Sequence, residues 1–351
     1  MQLATKLLRE HIHVGHRSAQ MTAIVNTGWP TRDFTIGELT TADGQVLTDL
    51  RLRYRVIGDA RAAAQNGWIL VFHALTGSAD VEAWWGPLVG AGRALDTSRH
   101  AIVSANLLGG CYGSTGPAEW KAERGGRFPE LTPVDLARAH VPLLEHLGVR
   151  RLALATGGSL GGMVALQWGR VTSIPTERLV VFAAPAAASP QAIGWNAVQR
   201  MAIEADPKTG LAAARALAMI TYRSAAEFQA RFGRLSSRSE GVFDVEHYLR
   251  RQGDKLVARF DAASYVALMR SMDLQDVGDL ATAARETARR VERVIGVGID
   301  SDILYPASEV RDWVAAYQAA GGRAEYREIA SLYGHDAFLI EWDQVERILR
   351  G

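Results

Sequence analysis

Arg151-Leu-Ala-Leu-Ala-Thr-Gly-Gly-Ser-Leu-Gly-Gly162 runs from an apolar stretch into four glycines that enclose a single serine. The apolar half reads as a buried strand, and Met163-Val-Ala-Leu-Gln-Trp168 continues beyond the glycines as a helix. Ser159 therefore stands at the apex of a strand–turn–helix unit, within the pattern G-x-S-x-G. Glycines on both sides let the backbone turn sharply without a Cβ clash and let the helix pack close to the strand. The predicted geometry exposes the Ser159 Oγ above the carboxyl end of a sheet. It also aims the Leu160 N–H, at the helix start, where an oxyanion would form. A glycine-rich turn that merely contains a serine has the same spelling, so the pattern needs support from the rest of the chain.

That support begins with the order of elements. Phe34 to Glu38 and Leu50 to Ile57 read as strands joined by the turn Ala42-Asp43-Gly44. Trp68-Ile-Leu-Val-Phe72 and His100-Ala-Ile-Val-Ser-Ala-Asn106 are buried-strand runs, and Pro133 to Leu147 has helical spacing ending at Gly148. Leu179-Val-Val-Phe182 is another strand. From about Pro185 to Leu280 the pattern is helical, with little sign of strand. Val291 to Ile299 and Ala324 to Ile329 return to strand, separated by a helix over Ser308 to Ala320 and followed by one over Gln344 to Leu349. Alternating strands and helices predict a mostly parallel central sheet. The expected division is an arm over 1–30, an α/β core over 31–184 and 281–351, and an inserted helical lid over 185–280.

Composition narrows the classes. A chain of 351 residues can bury enough surface to fold without staples. With 39 basic and 38 acidic residues the net charge is +1, and no long basic run suggests nucleic acid as a partner. The lone cysteine, Cys111, permits no intramolecular disulfide, which fits a reducing compartment. No apolar stretch is long enough to span a membrane. The first residues carry Lys6 and Arg9 but no apolar core of the signal-peptide kind, so a cytoplasmic location is expected. Met1 and Met21 both remain candidate starts.

A nucleophilic serine needs a base, and the base needs an orienting carboxylate. In the α/β-hydrolase fold these follow the serine in the order Asp/Glu then His, each in a loop after a strand. Asp302, in Asp300-Ser-Asp-Ile-Leu-Tyr-Pro306, and His335, in Tyr333-Gly-His-Asp-Ala-Phe-Leu339, satisfy that order. Asp300 rivals Asp302 on spacing alone. In these roles Ser159 attacks an acyl carbonyl, His335 takes its proton, and Asp302 fixes the imidazole tautomer. The second oxyanion donor is expected from the loop His73-Ala-Leu-Thr-Gly77, at the Leu75 N–H. His73, at the end of a buried strand, reads as structural, and Cys111 as an inert thiol. There is no H-E-x-x-H and no paired C-x-x-C to hold a metal, and Gly157–Gly162 does not fit a dinucleotide-binding G-x-G-x-x-G.

Several separated stretches together resemble the homoserine O-acetyltransferases of methionine biosynthesis, which have the α/β-hydrolase fold. They are His73 to Ser78 with Trp84-Trp85, Asn106-Leu-Leu-Gly-Gly-Cys-Tyr-Gly-Ser-Thr-Gly-Pro117, the Ser159 elbow, and Asn196-Ala-Val-Gln-Arg-Met-Ala-Ile-Glu-Ala-Asp-Pro207. Tyr248 to Lys255, Arg259 to Tyr265, Asp300 to Pro306 and Gly334 to Glu341 complete the set. The resemblance implies acetyl transfer from acetyl-CoA, as co-substrate, to L-homoserine through an acetyl-serine, with no resident cofactor. It favours Asp302 over Asp300. It puts a homoserine-binding arginine on Arg200, although that residue also reads as a solvated helix position. It puts a substrate-binding aspartate on Asp336, and it implies a homodimer through the lid. Two features depart from the family: Asp206-Pro207 runs straight into Lys208-Thr-Gly210, giving a shorter lid, and Leu160 replaces the usual methionine. Leu304 stands where succinyl-using relatives tend to carry arginine, which favours acetyl. Competing readings are acylation of serine or another alcohol, use of succinyl-CoA, and an esterase on the same triad.

Overall fold

Two long strands, β1 (Thr31–Thr40) and β2 (Val46–Gly58), pair antiparallel and put Ile36 opposite Leu50 and Phe34 opposite Leu52. Six shorter strands follow: β3 (Trp68–Phe72), β4 (Ala101–Ala105), β5 (Leu152–Gly158), β6 (Thr176–Phe182), β7 (Val291–Ile299) and β8 (Ala324–Ile329). The computed structural model describes residues 28–235 and 241–351; the expected N-terminal arm up to residue 27, with both candidate starts, lies outside them. The strands form one sheet in the order β1-β2-β4-β3-β5-β6-β7-β8. β2 is antiparallel to both neighbours, and every pairing from β4 to β8 is parallel. β3, β4 and β5 are buried at every residue, as uninterrupted apolar runs covered on both faces must be.

Three short helices, α1 (Ala60–Asn66), α2 (Val81–Trp85) and α3 (Pro117–Glu123), lie beyond the elements expected from periodicity. The helix expected over Pro133 to Leu147 is two helices, α4 (Pro133–Arg138) and α5 (His140–His146). Pro142 accounts for the break, because its ring clashes with the carbonyl four residues back, at Arg138, and offers it no N–H. α6 (Leu160–Val171) is the helix after Ser159. Between β6 and β7 the chain forms α7 (Pro190–Ala205), α8 (Pro207–Tyr222), α9 (Ala225–Arg231), α10 (Asp244–Val257) and α11 (Ala262–Asp273). It returns to the sheet through α12 (Leu280–Ala288), and α13 (Ala307–Ala319) and α14 (Trp342–Arg350) complete the layers. Side chains at Ser189, Asp206, Ser224, Asp261 and Asp279 cap α7, α8, α9, α11 and α12 by accepting first-turn N–H groups.

The core lies on both faces of the sheet. Phe72, Leu166, Trp168 and Trp313 fill one side, and Trp85, Phe182, Ile295 and Phe338 the other. The insertion is fastened across the strand ends. Arg259 donates to Thr76 O at 2.9 Å, to the Tyr112 hydroxyl at 2.7 Å and to Thr76 Oγ1 at 3.2 Å, joining the segment before α11 to the loops after β3 and β4.

At the elbow, sheet and helix meet backbone to backbone. A β-carbon on Gly161 would stand 2.2 Å from Phe72 O and 2.8 Å from His73 O, and one on Gly157 would stand 2.4 Å from Gly161 O. Neither contact can be relieved by rotating a side chain. Gly161→Ala is expected to cost more than about 2 kcal/mol, the scale of core overpacking. A thermal midpoint equal to that of the unaltered protein would contradict this.

Candidate active site

Ser159 is the N-cap of α6, with φ 58° and ψ −127°. A residue with a side chain held in that region costs on the order of 1–3 kcal/mol and persists only where its surroundings fix it. Ser159 N donates to Phe182 O at 3.0 Å, and Ser159 O accepts from Met163 N at 2.9 Å. The turn is thus pinned to β6 on one side and to α6 on the other.

Asp302 and His335 come together from the loops after β7 and β8. His335 Nδ1 lies 2.6 Å from Asp302 Oδ2. Asp302 Oδ1 accepts from Leu304 N at 2.8 Å and Tyr305 N at 3.0 Å. With the carboxylate acting as acceptor, the ring proton sits on Nδ1 and Nε2 is left to accept one. His335 Nε2 is buried and has no hydrogen-bond partner, a costly state for a polar atom that does nothing. Phe338 shares the turn Gly334–Leu339 with His335, and a β-carbon on Gly158 would stand 2.4 Å from its ring. The histidine loop therefore touches the elbow one residue from Ser159. Asp300 takes no part: it is exposed, and its Oδ1 accepts from Ser331 N at 2.9 Å.

The rings of Tyr305 and Tyr222 lie 5.3 Å and 5.5 Å from the imidazole, centroid to centroid. This burial opposes a charge on His335. The charge and hydrogen bond of Asp302, helped by Asp336, outweigh it, and the net effect raises the pKa above the usual 6.5.

The two candidate oxyanion donors belong to segments in contact. Leu160 N is in the first turn of α6, where no intrahelical carbonyl is available. Leu75 is buried in a turn closed by Gly77 N donating to Ala74 O at 2.8 Å. The approach of Gly161 to the carbonyls of Phe72 and His73 seats that loop on the start of α6.

His73 is occupied at both nitrogens. Leu107 N donates to Nε2 at 3.0 Å, so Nδ1 carries the proton and donates it to Ala74 O at 2.8 Å. Burial pulls its pKa down to about 4. His140 is also buried, with its pKa pulled down to about 4 and Nδ1 on Leu136 O, but its Nε2 has no hydrogen-bond partner among the described residues. Burial pushes the Cys111 thiol up, away from thiolate. Among the described residues no group of three or more His, Cys, Asp or Glu is placed to hold a metal ion, and no helix is long and apolar enough to cross a membrane.

The α/β-hydrolase fold family matches residues 67–313. A homoserine O-acetyltransferase of Thermus thermophilus is 45% identical over 341 residues, which are 87% of this chain and 86% of that protein. The chain belongs to the homoserine O-acetyltransferases. The crystal structure of homoserine O-acetyltransferase from Staphylococcus aureus superposes with a TM-score of 0.77 at 26% identity, covering 92% of this chain and 94% of that one. Esterase E22 shares the fold, with a TM-score of 0.82 at 18% identity over 92% of this chain and 99% of its own.

On the acceptor side, Arg200 is engaged through one nitrogen of its guanidinium. Its Nη1 is held by Asp273 Oδ2 at 2.5 Å, and the other oxygen of Asp273 accepts from Asn196 Nδ2 at 2.8 Å, so the arginine ties α7 to α11. Asp336 instead meets Arg223, whose Nε lies 3.1 Å from Asp336 Oδ2. Glu227 flanks the same guanidinium at 3.7 Å. Burial works against the Arg223 charge, but Asp336 and Glu227 overcome it and raise its pKa. Sequence reading missed Arg223 because the end of α8 reads like any helix terminus with a basic residue. The one local hint is the i, i+4 spacing to Glu227. Leu304 is buried, and its N–H is one of the two that hold Asp302.

A base with a raised pKa must lose its proton before it can act. Activity is therefore expected to rise with pH through a pKa above 6.5. Asp302→Asn removes the main raising influence and leaves burial, so its acidic limb should move to lower pH while kcat falls by about 10⁴. A limb that stays in place in the pH–rate profile would contradict the assignment.

Proposed function

We propose that this protein moves an acetyl group from acetyl-CoA to the hydroxyl of L-homoserine, in methionine biosynthesis, through an acetyl-Ser159 intermediate. The observation that carries this is a charge pair built for a zwitterion, Arg223 with Asp336, beside the Asp302–His335 pair. His335 Nε2 takes the Ser159 proton as Oγ attacks the thioester. The tetrahedral oxyanion is met by the N–H groups of Leu160 and Leu75. CoA leaves as the thiol, with the proton returned through His335. In the second half the same nitrogen removes the proton of the homoserine hydroxyl. That oxygen attacks the acetyl carbonyl and Ser159 leaves.

Arg223 and Asp336 are paired by charge, Nε to Oδ2 at 3.1 Å, while Arg223 Nε has no hydrogen-bond partner among the described residues. An amino acid replaces that pair without stranding either charge: its carboxylate takes the guanidinium fork and its ammonium takes Asp336. Leu304, buried and apolar, suits acetyl and offers nothing to the second carboxylate of a succinyl group. No resident cofactor is needed for these steps. A homodimer through the insertion belongs to this reading, supported by the exposed apolar side chains of Val198 and Met201 on α7 and Ile220 on α8. A cytoplasmic location suits such a biosynthetic role.

The test is CoA release from acetyl-CoA with L-homoserine, L-serine or no acceptor, and with succinyl-CoA alongside, products being weighed by mass spectrometry. Homoserine-dependent release giving O-acetylhomoserine is expected. Acetate with every acceptor would make the protein a hydrolase. Ser159→Ala should abolish acetyl labelling of the protein, and labelling that survives would remove Ser159 as nucleophile. Arg223→Lys keeps the charge but not the fork. It should raise the homoserine KM by roughly 10–100-fold, the worth of a hydrogen bond to a charged group, while acetyl-enzyme formation holds. Equal loss of both half-reactions would count against an acceptor role.

A further inference from the structure

The insertion meets the histidine loop at one seam. Gly334, immediately before His335, has φ 61°. A β-carbon there would stand 2.7 Å from Tyr222 O, 3.0 Å from Ser224 N and 3.1 Å from the carbonyl carbon of Arg223. Two segments of backbone are therefore in direct contact at the point where Arg223 leaves α8. Besides the Arg223–Asp336 pair, a side chain fastens one segment to the backbone of the other: Ser224 Oγ donates to Leu332 O at 2.5 Å. The same oxygen accepts from Glu227 N at 3.1 Å, capping α9. The loop side is itself anchored, since Gly334 N donates to Ser301 Oγ at 3.1 Å, close to Asp302 in the chain.

Arg223 lies between the two insertion residues of this seam. Tyr222, on its other side, carries the ring that covers the His335 imidazole. A long guanidinium side chain has several rotatable bonds, so its placement against Asp336 depends on where its backbone is held. Here the backbone is held on the loop that carries both Asp336 and His335. The acceptor-binding arginine and the general base thus share one frame across two otherwise separate parts of the fold.

We infer that the Ser224–Leu332 hydrogen bond, closed over Gly334, is a positioning device that decides the fate of the acetyl group; this rests on the acyl-transfer reading given above. Two nucleophiles compete for acetyl-Ser159. The homoserine hydroxyl adds to the carbonyl, the Ser159 C–O bond breaks, its proton passes through His335 to Ser159, and O-acetylhomoserine leaves. Water adds in the same way and acetate leaves. Only the first is steered by Arg223 and Asp336 and protected by the Tyr222 ring, so a loosened seam weakens transfer and admits water, while the Gly334–Ser301 hydrogen bond still holds the histidine loop for the first half-reaction. Ser224 acts through its neighbours and makes no contact with the reacting atoms.

The experiment compares the unaltered full chain with Ser224→Ala and Ser224→Thr. It measures the burst of CoA release that reports acetyl-enzyme formation, the homoserine KM, and the ratio of acetate to O-acetylhomoserine. Ser224→Ala should raise the KM and that ratio each by roughly tenfold, the worth of one hydrogen bond, with the burst within about twofold of normal. Ser224→Thr keeps the hydroxyl and should restore both values. An unchanged KM and ratio in Ser224→Ala would overturn the proposal. So would a burst that falls in step with transfer in both variants, which would make Ser224 a structural residue only. Failure of the acyl-transfer reading looks different: the unaltered protein itself would transfer nothing to homoserine.

Discussion

Four positions around Ser159 admit no β-carbon, and much of the molecule is arranged by that prohibition. Gly157 and Gly161 face backbone, Gly158 faces the Phe338 ring, and Gly162 faces Ala184 and the Phe182 carbonyl. Each close approach brings in a different element. β3 is drawn against the start of α6, β6 against the turn, and the loop after β8 against the end of β5. The strained serine is held by what these approaches bring into reach, the Phe182 carbonyl above all. The cost of the strain is local. The compensation is spread over the middle of the sheet, where β3, β4 and β5 are buried at every residue.

The sheet, the elbow and the order of the Asp and His loops were legible from the chain because they obey short-range rules. Buried runs have a length, turns have a composition, and strand ends follow one another in order. What was not legible depended on pairing at long range. Asp300 and Asp302 differ by two positions, yet only the second is turned inward, where it meets His335, 33 residues on. Arg200 sits in a family-like stretch, and its pairing with Asp273, 73 residues away, is invisible in that stretch. Arg223 has only the spacing to Glu227 to mark it in the sequence and acquires its setting when α8 docks on the loop before His335. The break between α4 and α5 is of another kind: Pro142 announced it, and the apolar spacing that continues across it masked the signal.

The sheet does not decide between transfer and hydrolysis. Esterase E22 shares it at a TM-score of 0.82. On the reading proposed above, the groups that distinguish an alcohol acceptor from water come from the insertion and the two turns it rests on. Arg259 fastens the insertion to the loop after β3, and Ser224 fastens it to the loop that carries His335. In that reading the core supplies the Asp302–His335 pair, and a structure laid across it selects the second substrate.

The lock on His73 has a consequence for how the protein meets acid. His73 and His140 stay neutral in the folded chain down to about pH 4, whereas their unfolded counterparts take up protons near 6.5. Both folded pKa values are depressed, so the stability these rings contribute is full above 6.5 and drains away between 6.5 and 4. The loss is on the order of 3 kcal/mol for each ring. His335 titrates in the opposite sense, with its folded pKa above 6.5. Acidification therefore protonates His335 first and then draws on the stability that neutral His73 and His140 supply.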